Sequence, residues 1–198
     1  LEKDFSPTLA GDRLAEDRAQ IVRWLREVPE RIRAAAPLPV RLALKLMNAR
    51  FDDDFQLEMI QAARGADALV CFNRLFDEQR GVAYGGWDLS DRNLRVLGTP
   101  GLRPGLVGTG NICSGRMIMD YARRGCESIQ LHTFLQLPLS EYPATHGSRA
   151  QRALHALVFH PQDGLVAVLL ELEALGRLER RGGELHFLDL AADAHRSG

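Results

Sequence analysis

Polar residues that are able to bind a small molecule recur in this chain where apolar segments end. They are Ser6, Lys45, Asn73, the glycine-rich group Gly108, Gly110 and Asn111, and the pair His132 and Thr133. Lysine supplies a positive charge, the asparagine amide both donates and accepts hydrogen bonds, and glycine lets the backbone approach a ligand closely. These groups form one site only if the fold brings the ends of the apolar segments to the same edge.

Each position also has a purely structural interpretation. Lys45 either extends its ammonium group to water or faces an anion, and Asn73 either binds a ligand or caps the following turn. Ser6 precedes Pro7, so it is either a general base or part of a Ser-Pro turn. His132 is either a ligand donor or a buried histidine, and a glycine-rich turn is often only a turn.

Helical spacing alternates with apolar runs along the chain. The predicted helices cover 13–35, 55–65, 114–124, 149–159 and 164–181, with a short one capped by Ser90. The predicted strands cover 1–5, 40–46, 67–73, 103–110 and 127–133, of which 40–46 and 67–73 are expected to be buried on both faces. Segment 74–88 is predicted to be a loop, and 183–190 a strand or an extended tail. The acidic run 52–54 is predicted to cap a helix rather than to bind a metal.

Short strand–helix–strand units of this kind are typical of an α/β fold, the TIM or (β/α)8 barrel, in which the carboxyl ends of all strands face one side. A whole barrel takes roughly 250 residues and eight strands. We therefore expect residues 1–198 to be a single domain that contains strands four to eight, with the first half missing from the chain. Loops after strands seven and eight of such barrels commonly bind phosphate, so the glycine-rich group and the His132–Thr133 pair predict a phosphate-bearing ligand.

Composition excludes several other classes. The formal net charge is -1, which gives no overall attraction to nucleic acid or to an anionic membrane. No apolar run approaches the roughly 20 residues that a membrane span needs, and no signal-peptide pattern opens the chain, so a cytoplasmic location is predicted. The 3 cysteines are odd in number and widely spaced, which predicts reduced thiols and no zinc site.

Three segments together resemble the carboxyl-terminal half of the dihydroorotate dehydrogenase family. They are "LALKL", "GADALVCFNR" and "GTGNICSGRMIMDYARRGCESIQLHT", with a Gly-Gly pair before Ser90 between the last two. The likeness covers about 1–135 and, more loosely, 164–181, and 137–161 resembles an insertion. Members of that family are (β/α)8 barrels that bind FMN and oxidise dihydroorotate to orotate in pyrimidine biosynthesis. The resemblance implies an FMN-dependent oxidoreductase, a flavoprotein acting on dihydroorotate or a similar small substrate.

The resemblance also implies a role for each matching residue. Lys45 would lie near the flavin ring, where its charge stabilises negative charge on the reduced ring. The backbone of Phe72 would contact the flavin and the side chain of Asn73 would hold the substrate. Ser6 lies near the family's catalytic Ser or Cys, which removes a proton from the substrate. The other implied cofactor-binding residues are Gly86, Gly108, Gly110, Asn111, His132 and Thr133.

The chain departs from the family pattern at several positions. The catalytic segment is shortened to "DFSPT", so the role of Ser6 depends on the alignment of Pro7. Asn111 replaces a glycine, although asparagine adopts left-handed backbone conformations more readily than most residues. Arg74 replaces a small hydroxyl residue beside Asn73, where it could pair with a substrate carboxylate.

Two other functions remain open at this point. A tRNA-dihydrouridine synthase shares the FMN barrel, but it predicts a basic binding face and a catalytic cysteine near the chain start, and the sequence has neither. The other alternative is a non-catalytic barrel fragment that keeps only the phosphate-binding loops. The expected partners are a small-molecule substrate and the missing amino-terminal half of the barrel, and a homodimer is left open.

Overall fold

The computed structural model describes residues 14–48, 52–73, 75–77, 82–84 and 87–196. The chain divides into two compact units, Leu1–Val96 and Leu97–Gly198. Each unit contains a pair of parallel strands joined by a helical crossover. The predicted α/β class with parallel strands is therefore confirmed.

The first unit follows the predicted order of elements. Its elements are α1 Leu14–Ala35, β1 Ala43–Met47, α2 Asp53–Ala62, a 3-10 turn Ala63–Gly65, β2 Ala68–Asn73, β3 Leu75–Asp77, β4 Val82–Tyr84 and α3 Trp87–Leu97. Strands β1 and β2 are parallel, with Ala43 opposite Ala68. The Asp52 side chain accepts a hydrogen bond of 2.8 Å from the amide of Phe55, so the predicted cap at the start of α2 is confirmed.

Burial differs between the two strands of this unit. The central residues of β2 are buried, as predicted for a strand covered on both faces. The same prediction is wrong for β1, where Ala43 and Lys45 are exposed while Leu46 is buried. Alternate side chains of a strand point to opposite faces, so only one face of β1 is covered.

The region after β2 contains more regular structure than the sequence predicts. Strands β3 and β4 pair antiparallel inside the segment predicted to be a loop. Helix α3 begins at Trp87, so Ser90 lies inside it, buried, and does not cap it. Leu89, Asn93 and Val96 share the buried face of α3, and this continuous face explains why the helix extends past the expected cap.

The second unit has the predicted strand–helix–strand core and three later helices. Its elements are β5 Leu106–Thr109, α4 Gly115–Ala122, β6 Cys126–Gln130, 3-10 turns Thr133–Gln136 and Leu139–Glu141, α5 Arg149–Phe159, α6 Leu165–Ala174 and α7 Leu188–Arg196. Strands β5 and β6 are parallel, with Thr109 opposite Gln130. The prediction for α5 is confirmed, and its first turn has a capping box between Ser148 and Gln151.

The carboxyl-terminal segments differ from the prediction. Helix α6 is shorter than expected and ends at Ala174. Of the segment predicted to be a strand or an extended tail, 183–187 is not helical and has an isolated bridge from Glu184 to Arg181, whereas its last three residues begin helix α7. Leu190 of α7 packs with Met119 of α4 and Leu172 of α6 in one apolar cluster, so burial favours a helix at this end of the segment. Among the described residues, none of the helices is both long and apolar enough to cross a membrane.

Candidate functional site

The carboxyl ends of β1 and β2 hold the first group of predicted site residues. Lys45 lies inside β1, opposite Val70 and before the strand's end, with its side chain exposed. Asn73 is the last residue of β2 and pairs with Met47. Between the pairs Lys45–Val70 and Met47–Asn73 the chain advances two residues in β1 but three in β2. Strand β2 therefore contains an irregularity of the bulge type immediately before Asn73. Such irregularities redirect the side chains that follow them.

Buried amide groups fix this end of β2. The Nδ2 group of Asn48 donates to the carbonyl of Asn73 at 2.8 Å and to Oδ1 of Asn93 at 2.9 Å. The amide of Asn48 donates to the same Asn73 carbonyl at 3.1 Å, and Nδ2 of Asn93 donates to the carbonyl of Phe72 at 3.2 Å. Asn48 is 2% exposed and Asn93 is 0% exposed. The backbone of Phe72 and Asn73 is therefore held by the side chain of Asn48, which directly follows β1, and by that of Asn93 in α3.

The side chain of Asn73 is not used by this network. It is half-buried and makes no hydrogen bond with the described part of the chain. Its amide donor and carbonyl acceptor are both open to a ligand, which is the arrangement that the substrate-binding prediction requires. Phe72 is completely buried and its carbonyl accepts from Nδ2 of Asn93, so in this structure neither its ring nor its backbone has surface exposed to a cofactor.

The end of β5 is shaped by close packing of glycine against a tyrosine. A Cβ atom on Gly108 would lie 2.5 Å from Cδ1 of Tyr121, so only glycine fits at this position. The Tyr121 hydroxyl donates to the carbonyl of Thr109 at 2.9 Å and to that of Gly110 at 3.3 Å. Tyr121 is fully buried in α4. It therefore fixes the path of the backbone as the chain leaves the strand.

The turn after β5 leaves backbone donors available. Gly110 has φ 113 and Asn111 has φ 49, so the prediction that asparagine sustains the left-handed turn is confirmed. The amides of Asn111, Ile112 and Cys113 donate no hydrogen bond within the described ranges. Ser114 then caps α4, accepting at 3.2 Å from the amide of Met117. A row of amides thus precedes a helix amino terminus, a combination that favours anions.

His132 and Thr133 lie beyond the end of β6, and both side chains are exposed. The interpretation of His132 as a buried histidine is therefore wrong. Its Nε2 atom lies 3.3 Å from Nε2 of Gln136. Because Thr109 pairs with Gln130 in a parallel ladder, the segments after β5 and β6 leave the same edge of this strand pair.

A phosphate group suits this edge of β5 and β6. Its oxygens accept hydrogen bonds, and the edge offers backbone amides and the Thr133 hydroxyl as donors. The nearby Arg116 is already engaged, since it bonds to Glu171 at 2.8 Å and to Asp163 at 2.9 Å. These carboxylates, Glu171 foremost, raise the pKa of Arg116. Binding of an anion here would therefore depend on backbone amides more than on a charged side chain.

Two predicted residues, Ser6 and Gly86, lie outside the described residues, as does Arg74. Asn48 belongs to the polar strand end that the sequence indicates at 45–48, and the structure adds two residues that sequence reasoning left out of the site: Asn93 and Tyr121. Asn93 and Tyr121 lie on the buried faces of helices, and their helical spacing with apolar neighbours is the signal that indicates inward-facing side chains.

Comparison with known proteins finds no matching family model, no matching curated protein and no matching solved structure. The resemblance to dihydroorotate dehydrogenases accordingly rests on the sequence motifs alone.

Proposed function

We propose that this chain is the carboxyl-terminal part of an FMN-dependent oxidoreductase similar to dihydroorotate dehydrogenase, built on a (β/α)8 barrel. The observation that carries the proposal is the run of unused amides at Asn111–Cys113, which leaves the same edge as His132 and Thr133. The order of motifs along the sequence supports it independently of the structure.

In this proposal, the edge of β5 and β6 binds the phosphate of FMN. Gly108 lets Tyr121 pack against the strand, and Tyr121 orients the carbonyls of Thr109 and Gly110 toward itself. Orientation before binding matters because a flexible glycine turn would lose conformational entropy when it closed on an anion. The two carbonyls are kept away from the phosphate oxygens, which they would repel.

The edge of β1 and β2 serves the substrate and the ring in this proposal. Bound FMN would supply the chemistry by accepting a hydride from dihydroorotate or a similar small substrate. Asn73 would orient the substrate by donating and accepting hydrogen bonds, since its side chain forms no hydrogen bond with the residues that the structure describes. Lys45 would supply a fixed positive charge from the exposed face of β1. The proton acceptor assigned to Ser6 belongs to the same proposal.

The proposal is tested first on the 198-residue chain by titrating FMN and following quenching of its fluorescence. We expect weak, saturable binding that inorganic phosphate competes away. Asn111→Val should abolish binding because a β-branched residue is strained at positive φ, whereas Asn111→Gly should keep it. Circular dichroism of both variants establishes that they are folded. Absence of FMN binding to the wild-type chain at millimolar FMN contradicts the phosphate assignment.

The second test uses the protein expressed with any coding sequence upstream of Leu1. We expect a yellow protein whose flavin absorption is bleached by dihydroorotate under anaerobic conditions. Lys45→Ala should slow bleaching strongly while FMN affinity changes little, because the charge acts on the ring and not on the phosphate. A colourless protein that takes up no added FMN rules the enzyme out, and equal losses of rate and affinity rule out the role of Lys45.

A further inference from the structure

A second region of the Leu97–Gly198 unit has features of a ligand site. A cavity of about 210 Å³ is lined by the loop 97–102, by Arg123 and Arg124, and by Ala194 and His195. The loop precedes β5 and the two arginines precede β6, so the cavity lies at the amino ends of this strand pair. The glycine-rich turn and His132 lie beyond the opposite, carboxyl ends.

The lining of the cavity is basic. Two arginines and one histidine line it, and no carboxylate is among its lining residues within the described chain. Two nearby carboxylates offset part of this charge. Asp120 is 3.6 Å from Arg123, and Oε1 of Glu127, which accepts from the amide of Gly105 at 2.9 Å, lies 3.8 Å from Nε2 of His195. A cavity with this lining attracts anions.

The loop also supplies neutral donors. The amide of Gly101 donates no backbone hydrogen bond within the part of the chain that the structure describes. Thr99 adds a half-buried hydroxyl group. Gly101 has φ 76, and a Cβ atom placed on it would meet nothing within 4 Å. Gly101 is therefore required for the conformation of the loop and not for packing.

His195 is held in place at the wall of the cavity. A Cβ atom on Gly125 would lie 2.7 Å from Cε1 of His195, so the imidazole packs directly on the backbone at Gly125. Its Nε2 atom is buried without a hydrogen-bond partner, at 3.8 Å from Oε1 of Glu127. Because Nε2 is itself buried, His195 lines the cavity with the rest of its ring.

A simpler interpretation is that the two arginines only complete the end of α4. Arg124 donates to the carbonyl of Asp120 at 2.8 Å, as basic residues at helix carboxyl termini commonly do. This contact explains the position of Arg124, but it does not account for the loop 98–102 or for His195. The same contact also positions the guanidinium group beside the cavity.

We propose that this cavity, formed by Arg123, Arg124, His195 and the loop 98–102, binds a small anion such as a phosphate monoester or a small carboxylate. Its volume is below the roughly 300 Å³ at which pockets for drug-sized ligands begin, which favours a compact anion over a nucleotide. The site does not depend on the flavin proposal, because it uses none of the same residues.

Inorganic phosphate is the probe for this site, titrated into the full chain and followed by amide chemical shifts. We expect saturable shifts at residues 98–102 and a loss of affinity of at least tenfold in the Arg123→Gln, Arg124→Gln double variant. Arg177→Gln removes an exposed arginine of the same unit and should leave affinity unchanged. The double variant should still shift the amides after β5, which reports separately on the glycine-rich turn.

The results that overturn the proposal are equally specific. Absence of saturable shifts at 98–102, or equal phosphate affinity in wild type and double variant, removes the site. Should the double variant fail to fold, His195→Gln and Thr99→Ala each test the site without changing the end of α4. Unchanged affinity in both of these variants overturns the proposal as well.

Discussion

The carboxyl ends of the two strand pairs share a topology but are built from different groups. At β1 and β2, buried side-chain amides of Asn48 and Asn93 hold the backbone. At β5 and β6, glycine packs directly on Tyr121, and the tyrosine hydroxyl holds the backbone. The first end is therefore fixed by side-chain hydrogen bonds and the second by close packing around glycine.

This difference determines what each end can offer to a ligand. The amide network uses backbone carbonyls and leaves the Asn73 side chain available, which suits recognition of a shaped polar molecule. The end of β5 and β6 leaves backbone amides available at Asn111–Cys113. These amides suit an anionic group, whatever the rest of the ligand is.

The largest effect on stability should come from adding a methyl group at Gly115, the first residue of α4 and close to the end of β5. A Cβ atom on Gly115 would lie 2.0 Å from the amide nitrogen of Leu165 and 2.6 Å from the carbonyl oxygen of Leu157. Backbone atoms cannot rotate away as a side chain can, so Gly115→Ala should lower the free energy of unfolding by more than about 3 kcal/mol. Urea denaturation measures this loss.

The matched control lies in the other unit. A Cβ atom on Gly65 would meet only the Pro29 side chain, with Cβ at 3.4 Å and Cγ at 3.8 Å, which are ordinary contact distances. Gly65→Ala should therefore change the free energy of unfolding by less than about 1 kcal/mol. If both substitutions lower the free energy of unfolding equally, close packing around glycine is not a feature that sets the second unit apart from the first.

The second test removes the polar groups that hold each end. Asn48→Leu leaves Oδ1 of Asn93 without its donor and should cost about 2 kcal/mol. The cost is moderated because Oδ1 of Asn48 itself has no partner and is removed by the same change. Tyr121→Phe leaves the carbonyl of Thr109 without its donor and should cost about 1 kcal/mol. If Tyr121→Phe lowers the free energy of unfolding more than Asn48→Leu does, side-chain hydrogen bonds do not hold the end of β1 and β2 more strongly than the end of β5 and β6.

Local signals in the sequence were sufficient for three helix starts, though not for α3, and for the left-handed turn. Asp52, Ser114 and Ser148 each cap the helix that follows, because a short side-chain oxygen reaches amides in the same segment. Asn111 adopts its turn conformation for a reason that is also local. These features depend on neighbours a few residues away, which the sequence displays directly.

The groups that hold the strand ends could not be predicted in this way. Asn48 bonds to residues 25 and 45 positions away, and no local pattern indicates such pairs. Segment 183–190 misled the prediction because Leu185 and Phe187 alternate with polar residues as in a strand. The structure uses both to cover the cluster of α4, α6 and α7, so packing overrides the local pattern.

The smallest effect concerns an ion pair that supports the amide network from outside. Asp53, at the start of α2, bonds to Arg95 at 2.7 Å and to Arg92 at 2.9 Å, both on the helix that carries Asn93. The pKa of Asp53 is lowered, chiefly by the hydrogen bond from Arg95. Partial burial of the carboxyl group raises this pKa, and the hydrogen bond from Arg92 lowers it further. The carboxylate is 36% exposed, so at neutral pH Asp53→Asn should cost less than about 1 kcal/mol.

The sign of the pH dependence follows from the lowered pKa. A carboxyl group with a lower pKa in the folded state stabilises the fold above its unfolded pKa of about 3.9, and loses that effect as pH falls through the folded value. The gap in free energy of unfolding between wild type and Asp53→Asn should therefore be constant near neutrality and close below about pH 4. Asp54→Asn changes an exposed carboxylate of the same helical turn and controls for the helix dipole. Two results would show that the ion pair with α3 does not help to hold the end of β1 and β2. One is a difference in free energy of unfolding that persists at acid pH, and the other is the same difference in Asp54→Asn.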